Sequence, residues 1–229
     1  GELVVLDGVP VYEPPTRPKA SVRSSVNIRW LEGDEFKMPA TGKKARVVGV
    51  VPDQIVTESL EFEIKSKDGF VISDVERDIL RFYVVERHRA SGNIGKGLIK
   101  GFGMKSGALA TTIAHDSHNI IVVGVEDRDI FKAVSTINKL GGGIVVANDG
   151  KVLDAIELPI AGLMSNKPLE FVSTRMSELI KVVHSLGVTL TDPVMTLSFM
   201  ALPVIPSLKL TDCGLVDVGK FEHVDLFVE

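Results

Sequence analysis

Two amphipathic segments with a hairpin between them most constrain how this chain can fold. Apolar residues recur at helical spacing in residues 129–140 and 168–186, which predicts two helices with one buried face each. A glycine follows each segment, as is typical of helix C-termini. Between them, residues 144–157 form two apolar runs around Asp149-Gly150, a strong hairpin signal. Helices separated by strands and hairpins predict an α+β fold, a layered β-sheet domain with packed helices.

The chain from residue 45 onward predicts further strands. Residues 55–65 alternate, with Leu60 and Phe62 on one face and Glu61 and Glu63 on the other, which is typical of a half-buried strand. Continuous apolar runs predict more deeply buried strands at 45–51, 80–85, 98–102 and 119–123.

Residues 1–18 are predicted to be a separate unit from residues 19–229. Asp7-Gly8 lies between two short apolar runs and predicts a β-hairpin over residues 2–12. A lone hairpin is marginally stable in water, so we expect its sheet partners elsewhere. The stiff Pro-rich segment 14–18 predicts the domain boundary. Because the chain does not open with Met, we expect either that its start was trimmed or that it was cut from something longer.

Composition argues against several functional classes. The 229 residues carry 26 Lys and Arg against 30 Asp and Glu, a net charge of −4 with no basic block, so no nucleic-acid partner is expected. The single cysteine, Cys213, excludes an internal disulfide and a multi-cysteine zinc site. No apolar run approaches the roughly 20 residues that span a bilayer, and no signal segment leads the chain. We therefore expect a cytoplasmic protein with no membrane partner.

Segment 111–119 is the strongest candidate for chemistry. It gathers His115, Asp116, His118 and Asn119 directly before an apolar strand, and polar residues at the end of a buried strand often line a cleft. Histidines at i and i+3 converge on a metal in a turn or helix, but not in an extended segment. The alternative is a turn whose polar side chains bond their own backbone.

A second candidate begins where strand 80–85 ends. Glu86 and His88 precede a glycine-rich stretch that contains Asn93 and Lys96. Its glycines would let backbone N–H groups approach a ligand, and Lys96 could meet a phosphate or carboxylate. The full phosphate-loop pattern is missing, and the alternative is a mobile loop without a ligand.

Several ungapped motifs in order resemble the C-terminal region of the adenine deaminases, which belong to the amidohydrolase superfamily. The resemblance extends from about residue 45 to the end. The motifs are ERH at 86–88, GFGMKSGA at 101–108, AHDSHNIIVVG at 114–124, LPIAGLMS at 158–165 and ALPVIP at 201–206. One departure is Arg89, where the family often has a second histidine after His88.

The resemblance implies hydrolysis of adenine to hypoxanthine and ammonia. It places a divalent metal, manganese or iron, in a TIM-type barrel that this chain lacks, and it assigns no metal ligand to this chain. The catalytic residues that it implies here are His115, Asp116 and His118, which would face the substrate or an additional metal. The substrate-binding residues that it implies are Glu86, His88, Asn93, Lys96 and Asn119.

The same resemblance implies which partners this chain has and that it is inactive alone. The N-terminal hairpin would belong to the small β-sandwich beside the barrel, adenine or a related purine would be the ligand, and the enzyme would be a homo-oligomer. This chain would cover or complete the active site and would be inactive alone. The alternative is a non-catalytic module that binds a purine or forms the oligomer interface.

Overall fold

The computed structural model describes residues 1–12 and 24–228. Within them, a large layered sheet with packed helices confirms the predicted α+β class. The α-helices are α1 (Asp127–Leu140), α2 (Leu169–Ser185) and α3 (Pro193–Phe199), and a 3₁₀ turn covers Asp34–Phe36. The strands are β1 (Val5–Leu6), β2 (Val9–Pro10), β3 (Lys44–Val50), β4 (Thr57–Glu63), β5 (Ser66–Lys67), β6 (Phe70–Val71), β7 (Ile79–Val85), β8 (Ile94–Lys100), β9 (Ala108–Thr111), β10 (Ile120–Gly124), β11 (Gly143–Asn148), β12 (Lys151–Glu157), β13 (Leu208–Thr211), β14 (Gly214–Asp217), β15 (Glu222–Val224) and β16 (Phe227–Val228).

The main sheet runs in the order β12-β11-β9-β10-β7-β8-β3-β16, and β4 also pairs with β3. Neighbouring strands are antiparallel, apart from the parallel pair β3 and β8. Every residue of the central strands β7 and β10 is buried. Their almost continuous apolar sequences follow from this position, because layers cover both faces of the sheet.

Helix α1 and the segment 26–38 cover one face of the sheet. The helix ends at Gly141, whose φ of 73° allows the left-handed turn that the sequence predicts there. Its apolar stripe is fully buried against the sheet: Ile130, Ala133, Val134 and Ile137. Burial of each large side chain of this kind contributes about 1.5–3 kcal/mol, so packing rather than helix propensity holds α1 in place.

Helices α2 and α3 and a small sheet, β13-β14-β15, cover the opposite face. Helix α3 is not predicted from the sequence, because its seven residues are too few to show an apolar period. Two local features begin it: Pro193 lies in its first turn, and the Asp192 carboxylate accepts from the Met195 N–H at 2.9 Å. This helix supports the candidate site described below.

Two of the three glycines of the second candidate segment do not lie in a loop. Gly95, Lys96 and Gly97 belong to β8, so the predicted glycine-rich loop ends before them. A Cβ on Gly95 would lie 1.8 Å from the carbonyl oxygen of Thr211, and one on Gly97 would lie 2.6 Å from the ring of Phe82. These two glycines therefore allow close packing on β8, by the small sheet at Gly95 and by the Phe82 ring of β7 at Gly97, rather than approach to a ligand.

The predicted N-terminal hairpin is confirmed as β1 and β2 around Asp7-Gly8. Every residue from Gly1 to Tyr12 is exposed, including its apolar side chains. The Pro-rich boundary predicted at 14–18 lies outside the described residues. Among the helices that are described, none is both long and apolar enough to cross a membrane.

Candidate functional site

The loop between β9 and β10, residues 112–119, folds into a tight turn around its second histidine. The His118 N–H donates to the Ala114 carbonyl at 2.6 Å, and the Ala114 N–H donates back to His118 Nδ1 at 3.3 Å. His118 has a φ of 49°, which places it in the left-handed region. The turn is thus closed by two reciprocal bonds, and the predicted cluster is a compact loop rather than an extended segment.

Aromatic contacts hold the first histidine of this loop against α3. The His115 ring packs on Phe199 with centroids 4.7 Å apart, and the His115 backbone N–H donates to the Ser198 carbonyl at 3.2 Å. The rings of His115 and His118 meet edge to face at 5.5 Å. Phe199 therefore orients the loop. The apolar sequence around Phe199 does not indicate this role.

Two polar groups of this loop, the Asp116 carboxylate and His118 Nε2, have no hydrogen-bond partner among the described residues. Asp116 is exposed, and within the described residues its carboxylate has no hydrogen bond or ion pair. His118 is half-buried, and its Nε2 makes no hydrogen bond to any residue that the structure describes. Partial burial lowers the pKa of His118, the nearby rings and Arg87 lower it further, and Asp116 opposes the shift. The neutral imidazole is thus favoured near neutral pH.

The loop after β7 uses its carboxylate differently. Glu86 Oε1 accepts from the N–H groups of His88 and Arg89, and Oε2 accepts from the N–H and hydroxyl of Ser91, both at 2.9 Å. Burial opposes ionisation of Glu86, but these four donors outweigh it and lower its pKa to about 2. The carboxylate of Glu86 therefore faces its own loop.

His88 joins the two loops. Its Nε2–H donates a hydrogen bond to the Ser117 carbonyl at 2.7 Å, and the ring is exposed. The contact fixes the turn of the β9–β10 loop from outside, so the structure brings the two candidate segments together at one end of the main sheet.

A third loop completes the arrangement. Asp212, in the tight turn between β13 and β14, accepts from the side-chain amides of Asn119 at 3.1 Å and of Asn93 at 3.4 Å. The Asn119 side chain also accepts from the Arg87 N–H at 3.3 Å. Asp212 is not predicted to belong to the site, because it is distant along the chain and its segment has the pattern of an ordinary turn.

Arg87 is the buried support beneath these loops. Its side chain is 1% exposed and donates to the carbonyls of His118, Ser25 and Ala161. Within the described residues it pairs with no carboxylate, and burial lowers its pKa. Sequence reasoning places Arg87 only in a family motif, because nothing local distinguishes a buried arginine from an exposed one.

Lys96 is not brought to the cluster. It points to the α1 side of the sheet, where its ammonium donates to the Lys37 carbonyl at 2.6 Å. Burial lowers its pKa, which nearby Asp127 and Glu35 oppose. Lys96 therefore ties β8 to the 3₁₀ turn at the opposite face from His115 and His118.

The site offers hydrogen-bonding groups rather than a metal cage. No group of three or more His, Cys, Asp or Glu side chains within residues 1–12 and 24–228 is arranged to bind a metal ion. The arrangement does present an acceptor, Asp116, and a ring nitrogen, His118 Nε2, on a loop that three other elements hold in place: α3, the loop after β7, and the turn between β13 and β14.

Comparisons with known proteins agree with the resemblance seen in the motifs. A family model described as the adenine deaminase C-terminal domain matches residues 54–222. The chain is 45% identical over 225 residues to adenine deaminase 2 of Carboxydothermus hydrogenoformans, 47% over 227 to the adenine deaminase of Desulfatibacillum aliphaticivorans and 50% over 209 to that of Methanothrix thermoacetophila.

These alignments cover 98%, 99% and 91% of this chain but 40%, 40% and 37% of the three relatives. The chain thus spans about two fifths of the length of the curated relatives that it matches. The extent of the family match and the identity over nearly the whole chain establish that this chain belongs to the adenine deaminase C-terminal domain family.

Proposed function

We propose that this chain works as the C-terminal part of a cytoplasmic, homo-oligomeric adenine deaminase that hydrolyses adenine to hypoxanthine and ammonia. The names of its relatives support the activity, and the share of their length that it covers supports a larger protein. In this proposal the preceding part is the barrel, which would hold manganese or iron.

The proposed site rests on one observation: two polar groups of the β9–β10 loop have no hydrogen-bond partner among the described residues. Asp116 is exposed and His118 Nε2 is free of hydrogen bonds to the described residues, whereas the carboxylates of the two neighbouring loops, Glu86 and Asp212, already accept hydrogen bonds. Enzymes that recognise a free base read its polar edge with such side-chain donors and acceptors. We infer that His115, Asp116 and His118 face the purine.

The remaining predicted residues support this loop in our proposal. Glu86, His88, Asn93 and Asn119 position it through the contacts described above, with Asp212 and Arg87 added to that set. A substrate contact for Lys96 would need a second site, because its ammonium is bonded on the other face of the sheet.

The divalent metal that the family resemblance implies does not fit the residues described here, since they contain no suitable group of ligands. The chemistry of C–N cleavage therefore lies outside this chain in our proposal. The contribution of this chain is to bind and orient adenine and to cover the site against water.

Ammonia release tests the proposal directly. We expect no ammonia from adenine with this chain and added Mn²⁺ or Fe²⁺, and robust release from a protein that joins the barrel part to it. Release by this chain alone would show that it holds a complete site, and no release by the joined protein would refute the proposed activity.

Variants of the joined protein separate a catalytic role from a binding or assembly module. His118→Ala should lower kcat at least 10-fold if the loop faces the reacting purine. His184→Ala, on the exposed side of α2, is the matched control and should leave kcat unchanged. An effect of His118→Ala on oligomeric state alone would favour the assembly alternative.

A further inference from the structure

We propose that Asp116 and His118 together form an acceptor–donor pair that selects adenine over its deaminated product, with His118 acting as a neutral Nε2–H donor rather than as a proton acceptor. The identity of the ligand rests on the proposed function above. The protonation pattern of His118 rests on the geometry of this chain alone.

The backbone fixes which ring nitrogen of His118 carries the proton. The Ala114 N–H can only donate, so His118 Nδ1, 3.3 Å away, must accept and must be unprotonated. In the neutral ring the proton then lies on Nε2. Protonation of Nδ1 would set two N–H groups against each other and would break one of the two bonds that close the turn.

The charges around His118 favour the same state. The Arg87 guanidinium donates to the His118 carbonyl, and the rings of His115 and His88 belong to the elements packed around it. The one negative group in this set is Asp116, which is exposed to water. The Arg87 guanidinium and the Ala114 N–H that donates to Nδ1 together keep the ring neutral.

This pattern matches the substrate and not the product. On the edge where the reaction occurs, adenine presents an amino donor beside an unprotonated ring nitrogen. Hydrolysis replaces the amino group by a carbonyl oxygen, and the adjacent ring nitrogen gains a proton. Asp116 and His118 Nε2–H therefore complement adenine and face hypoxanthine with two mismatched contacts. In the joined protein, where the barrel part would cover this loop, mismatched polar contacts reject a ligand strongly, so the loop would promote product release.

The first test measures the protonation pattern in this chain and needs no activity. Nitrogen-15 spectra of the imidazoles should show His118 with a proton on Nε2 and none on Nδ1 at neutral pH. A proton on Nδ1, or a doubly protonated ring at neutral pH, would overturn the proposal. Failure of the proposed deaminase activity would leave this result untouched.

The second test measures selectivity in the joined protein, as the ratio of the hypoxanthine inhibition constant to the adenine Kd. His118→Ala should lower this ratio about 10-fold or more. His118→Gln keeps an amide N–H near the position of Nε2 and should retain most of the ratio. His184→Gln on α2 is the control. Equal losses with Ala and Gln would show that donation from this position does not set selectivity.

Discussion

The two loops that meet at the end of the main sheet carry similar polar residues and use them in opposite ways. In the β7–β8 loop, Glu86 is satisfied by four donors of its own loop. In the β9–β10 loop, Asp116 has no such donor among the described residues and stays exposed. The comparison shows that the supply of nearby N–H groups, rather than the residue type, separates a structural carboxylate from one available to a ligand.

The largest effect on stability is expected for Arg87, the buried side chain that joins the β7–β8 loop to the β9–β10 loop. Arg87→Met would leave the carbonyls of His118, Ser25 and Ala161 without their donors, so we expect a loss of about 2–4 kcal/mol in the free energy of unfolding. Urea unfolding measures it. Arg89→Met, in the same loop but with an exposed side chain, is the control. A loss below about 1 kcal/mol would mean that the loops do not depend on Arg87.

Glu86→Gln is expected to cost about 2–3 kcal/mol at neutral pH, because an amide cannot accept from all four donors. The pKa of Glu86 is lowered to about 2, so its ionised form stabilises the fold above the ordinary glutamate pKa near 4.5. That stability is lost as pH falls from there toward 2. The stability difference between wild type and variant should therefore vanish near pH 2, and a constant difference would contradict it.

Asp212→Ala should have a smaller effect, about 1 kcal/mol, because Asp212 is half-buried and exposed Asn93 can turn its amide to water, so that only buried Asn119 loses its partner. The side-chain amide resonances of Asn93 and Asn119 should shift together in this variant. Asp217→Ala, on the next strand, is the control and should shift neither of them. Unchanged amide resonances in Asp212→Ala would show that the third loop is not coupled to the first two.

The smallest effect on stability is expected for Asp116→Asn, within about 0.5 kcal/mol, because no described residue bonds this carboxylate. Urea unfolding beside Glu86→Gln makes the comparison direct. A loss as large as that of Glu86→Gln would remove the distinction between the two loops.

Local patterns predict much of this fold from sequence. The hairpin at Asp149-Gly150 and the end of α1 at Gly141 are confirmed, because positive φ in a tight turn depends on a few neighbouring residues. The buried strands β7 and β10 are confirmed for a similar reason, since full burial requires a continuous apolar run.

The long-range contacts that hold the candidate site in place cannot be predicted in the same way. Asn119 and Asp212 are 93 residues apart in sequence, and Arg87 and Ala161 are 74 apart. Such contacts depend on how strands are ordered in the sheet, which no local pattern encodes. Lys96 illustrates the same limit, because one step along a strand decides which face a side chain meets.

The contact between Gly95 and Thr211 has a consequence for how this family tolerates sequence change. Because backbone meets backbone there, the separation between β8 and the turn that carries Asp212 does not depend on the size of any side chain between them. Substitutions among the apolar residues under α2 can shift that helix by fractions of an ångström while this spacing stays the same. The hydrogen bonds from Asn93 and Asn119 to Asp212 therefore keep their geometry when substitutions accumulate among those apolar residues.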